Sequence, residues 1–192
     1  MAYILRPLSA VITALLAVGR VVGSIAVAIM VIAILIQVFF RYGLNNALPW
    51  PDEAARFCML WMTGLMAPIA YRNGGFVAID MLLYMLPRIV AGLLSLVLLC
   101  LSMVVLVVAV RIGWGEVTGF GGKFTTASLY LPTSITFDSW FRLPRSWMMS
   151  ALFVGVCLLS LVNLELILKT IVALFTGKDL REEQHPIVEG AS

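Results

Sequence analysis

Twenty-two consecutive residues, Ile89 to Val110, carry no charge. A helix of that length covers about 33 Å, enough to cross the roughly 30 Å hydrocarbon core of a bilayer. A second run, Val21 to Phe40, is also free of charge and interrupted only by Gly23, Ser24 and Gln37. The residues 54–71 and 147–168 read as two further apolar helices. Of the 192 residues 62% are hydrophobic and 12% charged, too little polar surface for a soluble domain of this size. The expected fold is an all-α integral membrane protein. It has four transmembrane helices at 21–40, 54–71, 89–110 and 147–168, within a membrane domain 1–175 and before a polar tail 176–192. The net charge of +3 is small and scattered, which excludes a nucleic-acid surface and suits loops at lipid headgroups.

Charges are scarce, so where they gather matters. At the N-terminus Arg6, Ser9, Thr13 and Arg20 fall within an arc of roughly 60° at helical spacing. Leu8, Val11, Ile12 and Leu15 take the other faces. Two readings fit: an interfacial amphipathic segment over 3–19, or an N-terminal extension of the first span. The apolar run is longer than a signal-peptide core and is expected to be retained. Arg41 and Tyr42 anchor the end of span 1. The breaker-rich turn Gly43 to Pro49 then makes spans 1 and 2 antiparallel neighbours. Pro51, Asp52 and Glu53 suit the first turn of a helix, where proline lacks no needed donor and acids meet the positive dipole end. Arg56 shares a helix face with both acids.

Pro68 inside span 2 crowds the carbonyl of Gly64 and favours a kink there. Thr63 and Gly64 allow close helix packing. The turn Arg72-Asn73-Gly74-Gly75 leads to Phe76–Leu86, apolar apart from Asp80 and too short to cross; it reads as an interfacial segment. Span 3 is expected to close at Arg111 and Trp114, with Gly92, Ser95 and Ser102 as a packing face. The residues 111–147 read as a long mixed loop. Its Gly119-Phe120-Gly121-Gly122 lacks both the preceding strand and the following Gly-Lys-Ser/Thr of a phosphate loop. In span 4 Glu165 and Lys169 are an i,i+4 pair with the acid first. Glu165 is read as structural, near enough to Lys169 to reach the headgroups.

Cys58, Cys100 and Cys157 each sit in an apolar run, which reads as small buried residues rather than a disulfide framework. His185, the single histidine, lies in the tail, so paired axial haem ligands or a histidine metal site within the membrane are not expected. No catalytic residue, metal site or cofactor is expected. Four spans place both termini on one side. That side carries seven Lys and Arg against six on the other, which leaves orientation open.

Three runs resemble one family. They are Val38-Phe39-Phe40-Arg41-Tyr42, Pro49-Trp50-Pro51-Asp52-Glu53-Ala54-Ala55-Arg56, and Ala70-Tyr71-Arg72-Asn73-Gly74-Gly75 through Asp80. Together they are similar to the small membrane subunit (Q, DctQ-like) of tripartite ATP-independent periplasmic (TRAP) transporters. The match covers Gln37 to Leu83 closely, and the rest agrees in span number and in the long third loop. Asn73 stands where the family often has an acid, and Phe76-Val77 where His-Ile is usual. Phe153-Val154-Gly155 replaces a Pro-x-Gly.

The resemblance implies a large multi-span M subunit as partner in the inner membrane, and a periplasmic P protein that delivers a carboxylate substrate. It implies sodium coupling in the M subunit, a scaffold role for this chain, and cytoplasmic termini. Arg41, Trp50, Asp52, Glu53, Arg56, Arg72 and Asp80 are then candidate contacts to a partner, the alternative for the charged ones being helix capping and headgroup contact. Arg72 and Arg88 are candidates for lipid phosphate. Two other classes stay open from the residues alone: a four-helix subunit of a membrane redox complex, and a small stand-alone carrier.

Overall fold

The computed structural model describes residues 2–46, 48, 50–73, 87–119, 124–132 and 140–176. Four helices dominate: α1 (Ala2–Val38), α2 (Trp50–Arg72), α3 (Arg88–Thr118) and α4 (Ser146–Thr176). Three of these, over Ser9–Gly43, Val90–Thr118 and Ser146–Leu174, are long and apolar enough to cross a membrane. The helix α2 is the most polar. Asp52, Glu53 and Arg56 occupy its first turns and Arg72 its last. It tolerates this because it lies inside the array, with α1 on one side and α4 on the other. The spatial order is α1, α2, α4, α3, so α4 inserts between two helices that precede it in sequence.

The first helix runs without a break from Ala2 to Val38, and no separate amphipathic segment is set off from the first span. Its 37 residues would reach about 55 Å, well beyond a 30 Å core. It ends in one π-helical turn, Phe39–Gly43, closed by the Asn46 amide donating to the Phe40 carbonyl at 3.1 Å. Asn45 follows in the left-handed region at φ 52°, a conformation that asparagine accepts better than most residues. The guanidinium of Arg41 lies 5.9 Å from the Tyr42 ring centroid.

The buried seam of α1 is Ile12, Leu16, Gly19, Gly23, Ala26 and Ala33, spaced by threes, fours and one seven. That near-heptad spacing keeps one face on α2. Ile12 and Leu16 meet Ile69 of α2 and Val162 of α4 in the apolar core, with Met66, Tyr71 and Leu166 around it. Further along, small residues replace large ones. A Cβ on Gly64 of α2 would run into the Ala151 carbonyl oxygen of α4, and one on Gly155 would stand 2.7 Å from the Gly64 carbonyl oxygen. Pro68, buried in α2, removes the amide that this carbonyl would normally accept from. The two backbones thus approach where that carbonyl lacks its helical donor, and only a residue without a Cβ fits at Gly155. The predicted close approach at Gly64 is present, whereas Thr63 is exposed and bonds back to Met59.

Two expectations for the third connection change. The helix α3 does not end near Val110 but continues through Arg111, Trp114 and Glu116 to Thr118, all exposed. It stops at Gly119, whose amide donates to Gly115 at 2.7 Å. Arg111–Thr118 holds no proline, and its glycines Gly113 and Gly115 weaken a helix without ending it, so the charge at Arg111 marks a change of solvent and not of backbone. The residues beyond are not a plain loop either. Strands β1 (Thr125–Pro132) and β2 (Trp140–Pro144) form an antiparallel ribbon, with an irregular register between Thr125 and Tyr130. Both strands end in proline, which cannot donate to a ladder and so ends it. The Arg145 amide closes the ribbon's base on Phe124 at 2.8 Å. β1 packs against α2 and β2 against α4, and Leu143 is buried beneath.

The expected interfacial segment 76–86 and the tail from 177 onward lie outside the described residues.

Candidate functional site: a charged layer joining four helices

At the end of α2 the chain places Tyr71 and Arg72 side by side, and the two reach different neighbours. Arg72 Nη1 donates to Thr13 Oγ1 at 2.7 Å, and Nη2 to Ser9 Oγ at 3.0 Å, both on α1. The same Nη2 meets Glu165 Oε1 of α4 at 2.9 Å. Lys169 Nζ approaches that oxygen at 2.8 Å from one turn along α4. Tyr71 donates to Asn163 Oδ1 at 2.7 Å, and Asn163 Nδ2 donates to the Leu99 carbonyl of α3 at 3.1 Å. One polar layer thus touches every helix.

The electrostatics follow from depth. Leu99 lies at the middle of the charge-free run of α3, so Asn163 sits well inside the apolar zone and Glu165 only two residues further on. The Glu165 side chain is 1% exposed, against 18% for Arg72 and 28% for Lys169. A carboxylate without water needs compensation from nearby cations and donors, and here two cations supply it. The group carries a formal charge of +1. Glu165 Oε2 is buried without a hydrogen-bond partner, as are Trp61 Nε1 and Gln37 Oε1. The predicted Glu165–Lys169 pair is present, but Glu165 turns inward instead of reaching toward headgroups.

Among the described residues, Arg72 is the one sequence-predicted site residue in this layer. The arc of Ser9 and Thr13 on α1, read as the polar side of an amphipathic helix, supplies its hydroxyls. Sequence reading missed the link from Arg72 to Glu165, which are 93 positions apart. A signal was available: an even number of spans puts the end of α2, the end of α4 and the start of α1 on one side. What was lacking was the lateral order of the helices.

The other candidates gather at the opposite end. Arg41, Trp50, Asp52 and Arg56 are exposed, and Glu53 is half-buried with an interaction of its own. Pro51 is buried. The acids sit where the helix dipole favours them. Asp80 lies outside the described residues, as does the side chain of Arg88 at the start of α3. Among the described residues no group of three or more His, Cys, Asp and Glu is placed to hold a metal ion.

The chain matches the family model described as tripartite ATP-independent periplasmic transporters, DctQ component, over residues 30–173, three quarters of its length. No curated protein matches it.

Proposed function

Because this chain belongs to the DctQ component family of tripartite ATP-independent periplasmic transporters, and so is a small permease subunit, we propose that it serves as the static scaffold of a large M subunit. In this reading the M subunit carries out sodium-coupled uptake of an organic acid handed over by a periplasmic P protein. The chain crosses the inner membrane four times, α2 included, and both termini are cytoplasmic. The charged layer of Arg72 and Glu165 then lies toward the cytoplasmic side, and Trp50 to Arg56 with the β-ribbon faces the periplasm.

The observation that supports a scaffold is that single layer. Its bonds join α1 to α2, α2 to α4 and α4 to α3. Buried ionic and polar contacts of this kind fix helix register, a use suited to a body that must hold still while a partner moves. The residues Arg41, Trp50, Asp52, Glu53 and Arg56 are proposed as contacts for the M subunit or the arriving P protein. A Glu53→Lys complex with full assembly and full uptake contradicts that assignment.

The test of the scaffold role is uptake of the carboxylate in proteoliposomes, with and without this subunit. Loss of transport on its omission, with the M subunit still folded and inserted, is the expected result. Undiminished transport at equal M content overturns the scaffold reading. Carboxylate uptake by this chain alone would do the same, in favour of a stand-alone carrier. A redox absorbance in the purified complex would favour the electron-carrier class.

A further inference from the structure

Each helix carries charges and interfacial aromatics at two places, with a mainly apolar stretch between them. On α1 these are Arg20 and then Arg41 with Tyr42; on α2 they are Arg72 and the start from Trp50. On α4 they are Lys169 and Trp147, and on α3 the first residue, Arg88, and then Arg111 with Trp114. Residues of these types gather where membrane helices meet the headgroups. The four stretches are nearly equal, at about 33 Å each.

In an upright bundle those ends would be level from helix to helix, and they are not. Gly19 of α1 packs on Leu65 of α2, so Arg20 stops about 10 Å short of the level of Arg72. Gly64 packs on Gly155 of α4, which leaves Arg72 about 9 Å short of Lys169. Gly113 of α3 packs on Phe153, and Asn163 bonds to the Leu99 carbonyl, so Lys169 is roughly 10 Å short of Arg88. Every step runs in the same direction. The opposite ends repeat it, with Trp50 about 9 Å beyond Trp147, and Trp147 about 10 Å beyond Arg111 and Trp114. The ends thus form two slanting lines across the row α1, α2, α4, α3. Each drops about 10 Å per helix, against a spacing of 8–10 Å between packed helices.

We propose that the four helices cross the bilayer as a slanted raft, leaning roughly 40–45° within the plane of their row, and that they pinch the surrounding lipid to a hydrocarbon thickness of about 25 Å. A flat bilayer can follow both lines only if the row leans, and a drop equal to the spacing sets the angle. The lean rests on the reading of the chain as crossing the membrane four times and not on what it assembles with. The occupant of the outer faces is the acyl chain, met by Ile32 and Leu35 on α1 and by Leu101 and Val104 on α3, all exposed. Helix lengths agree. At 31 residues each, α3 and α4 reach about 46 Å, and when leaning they rise about 33–35 Å. Upright, about 20 residues would have sufficed. An unbroken α1 also serves both readings of its N-terminus, because a leaning helix stays in the headgroup zone for about two turns beyond Arg20.

The experiment uses the full chain in vesicles of phosphatidylethanolamine and phosphatidylglycerol, with two readouts. Polarised infrared spectra of oriented bilayers give the mean helix tilt of the unaltered chain, expected at roughly 40° against the average of about 20° for membrane helices. Single nitroxide labels then report depth, by their contact with dissolved oxygen and with a water-soluble nickel chelate. They replace Val11, Ile32 or Leu101, all exposed, in a chain whose Cys58, Cys100 and Cys157 are alanine. Ile32 and Leu101 each lie midway along their own stretch, so both are expected near the middle of the bilayer. Val11, beyond Arg20, is expected among the headgroups.

A mean tilt below about 30° overturns the slanted raft. So does equal depth for Val11 and Leu101 with Ile32 in water, the pattern of helices standing upright on the span of α3. Ile32 at the middle with Leu101 in water overturns it as well, in favour of an upright bundle set by α1. Water at all three labels overturns the membrane-spanning reading together with the lean.

Discussion

Replacing Glu165 by glutamine removes one charge and keeps the shape, and the structure sets the cost. The wild-type carboxylate holds Arg72 at 2.9 Å and Lys169 at 2.8 Å, with its own side chain 1% exposed. In Glu165→Gln both cations lose their counter-ion in an apolar layer. Removing one partner of a buried pair costs about 3–5 kcal/mol. The lower end applies here, about 3 kcal/mol, because the Arg72 and Lys169 side chains are 18% and 28% exposed and can tilt toward water. Lys169→Leu leaves a one-to-one pair and should cost about 1 kcal/mol, near the value of a half-exposed contact. Arg72→Leu together with Glu165→Leu removes both charges and should be milder than Glu165→Gln alone. Equilibrium unfolding in mixed detergent micelles measures the series. An unfolding midpoint for Glu165→Gln equal to wild type, or an effect smaller than that of Lys169→Leu, refutes the reasoning.

Other expectations use the same assay. Gly64→Ala drives a methyl into the Ala151 carbonyl and should cost about 1–3 kcal/mol, since neither backbone can step aside. Gly23→Ala meets the Met66 side chain, its terminal methyl at 2.9 Å and its Cγ at 3.3 Å, a flexible side chain and no backbone, and gains helix propensity; it should change stability by less than about 1 kcal/mol. Equal effects at the two glycines would contradict the assigned α2–α4 crossing. Asn163→Leu loses its bonds to Tyr71 and Leu99, worth about 0.6 kcal/mol each in a membrane, and leaves the Leu99 carbonyl unsatisfied by a side chain; a loss of about 1–2 kcal/mol is expected. Tyr71→Phe should show roughly half of that.

The helices were legible because the membrane imposes one simple rule, an uncharged run of about 20 residues. Ile89–Val110 lies wholly within α3, and Pro51 with Asp52 and Glu53 marked the start of α2 closely. The rule fails where helices leave the bilayer, because backbone hydrogen bonding continues through a change of solvent. That is why α1 begins at Ala2 and α3 ends at Thr118. The β-ribbon escaped for a different reason. Its strands end in prolines, alternation is confined to Ala127–Leu131 of β1, and β1 packs on α2, a contact distant in sequence. Of the charged layer, the Glu165–Lys169 pair followed from spacing. Arg72 and Ser9 joined it only once the lateral order of helices was known.

That lateral order also sets a timetable. The chain leaves the ribosome as α1, α2, α3 and then α4, yet α4 belongs between α2 and α3. The first two helices can pair early through their glycine and alanine seam. Meanwhile Arg72 waits without its carboxylate and α3 without its principal neighbour. Glu165 and Asn163 enter last and complete all of these contacts in one event. A chain truncated before Ser146 therefore holds Arg72 in the apolar zone without Glu165 to meet it. The final helix acts as the keystone, and its arrival distinguishes a finished subunit from an abandoned one.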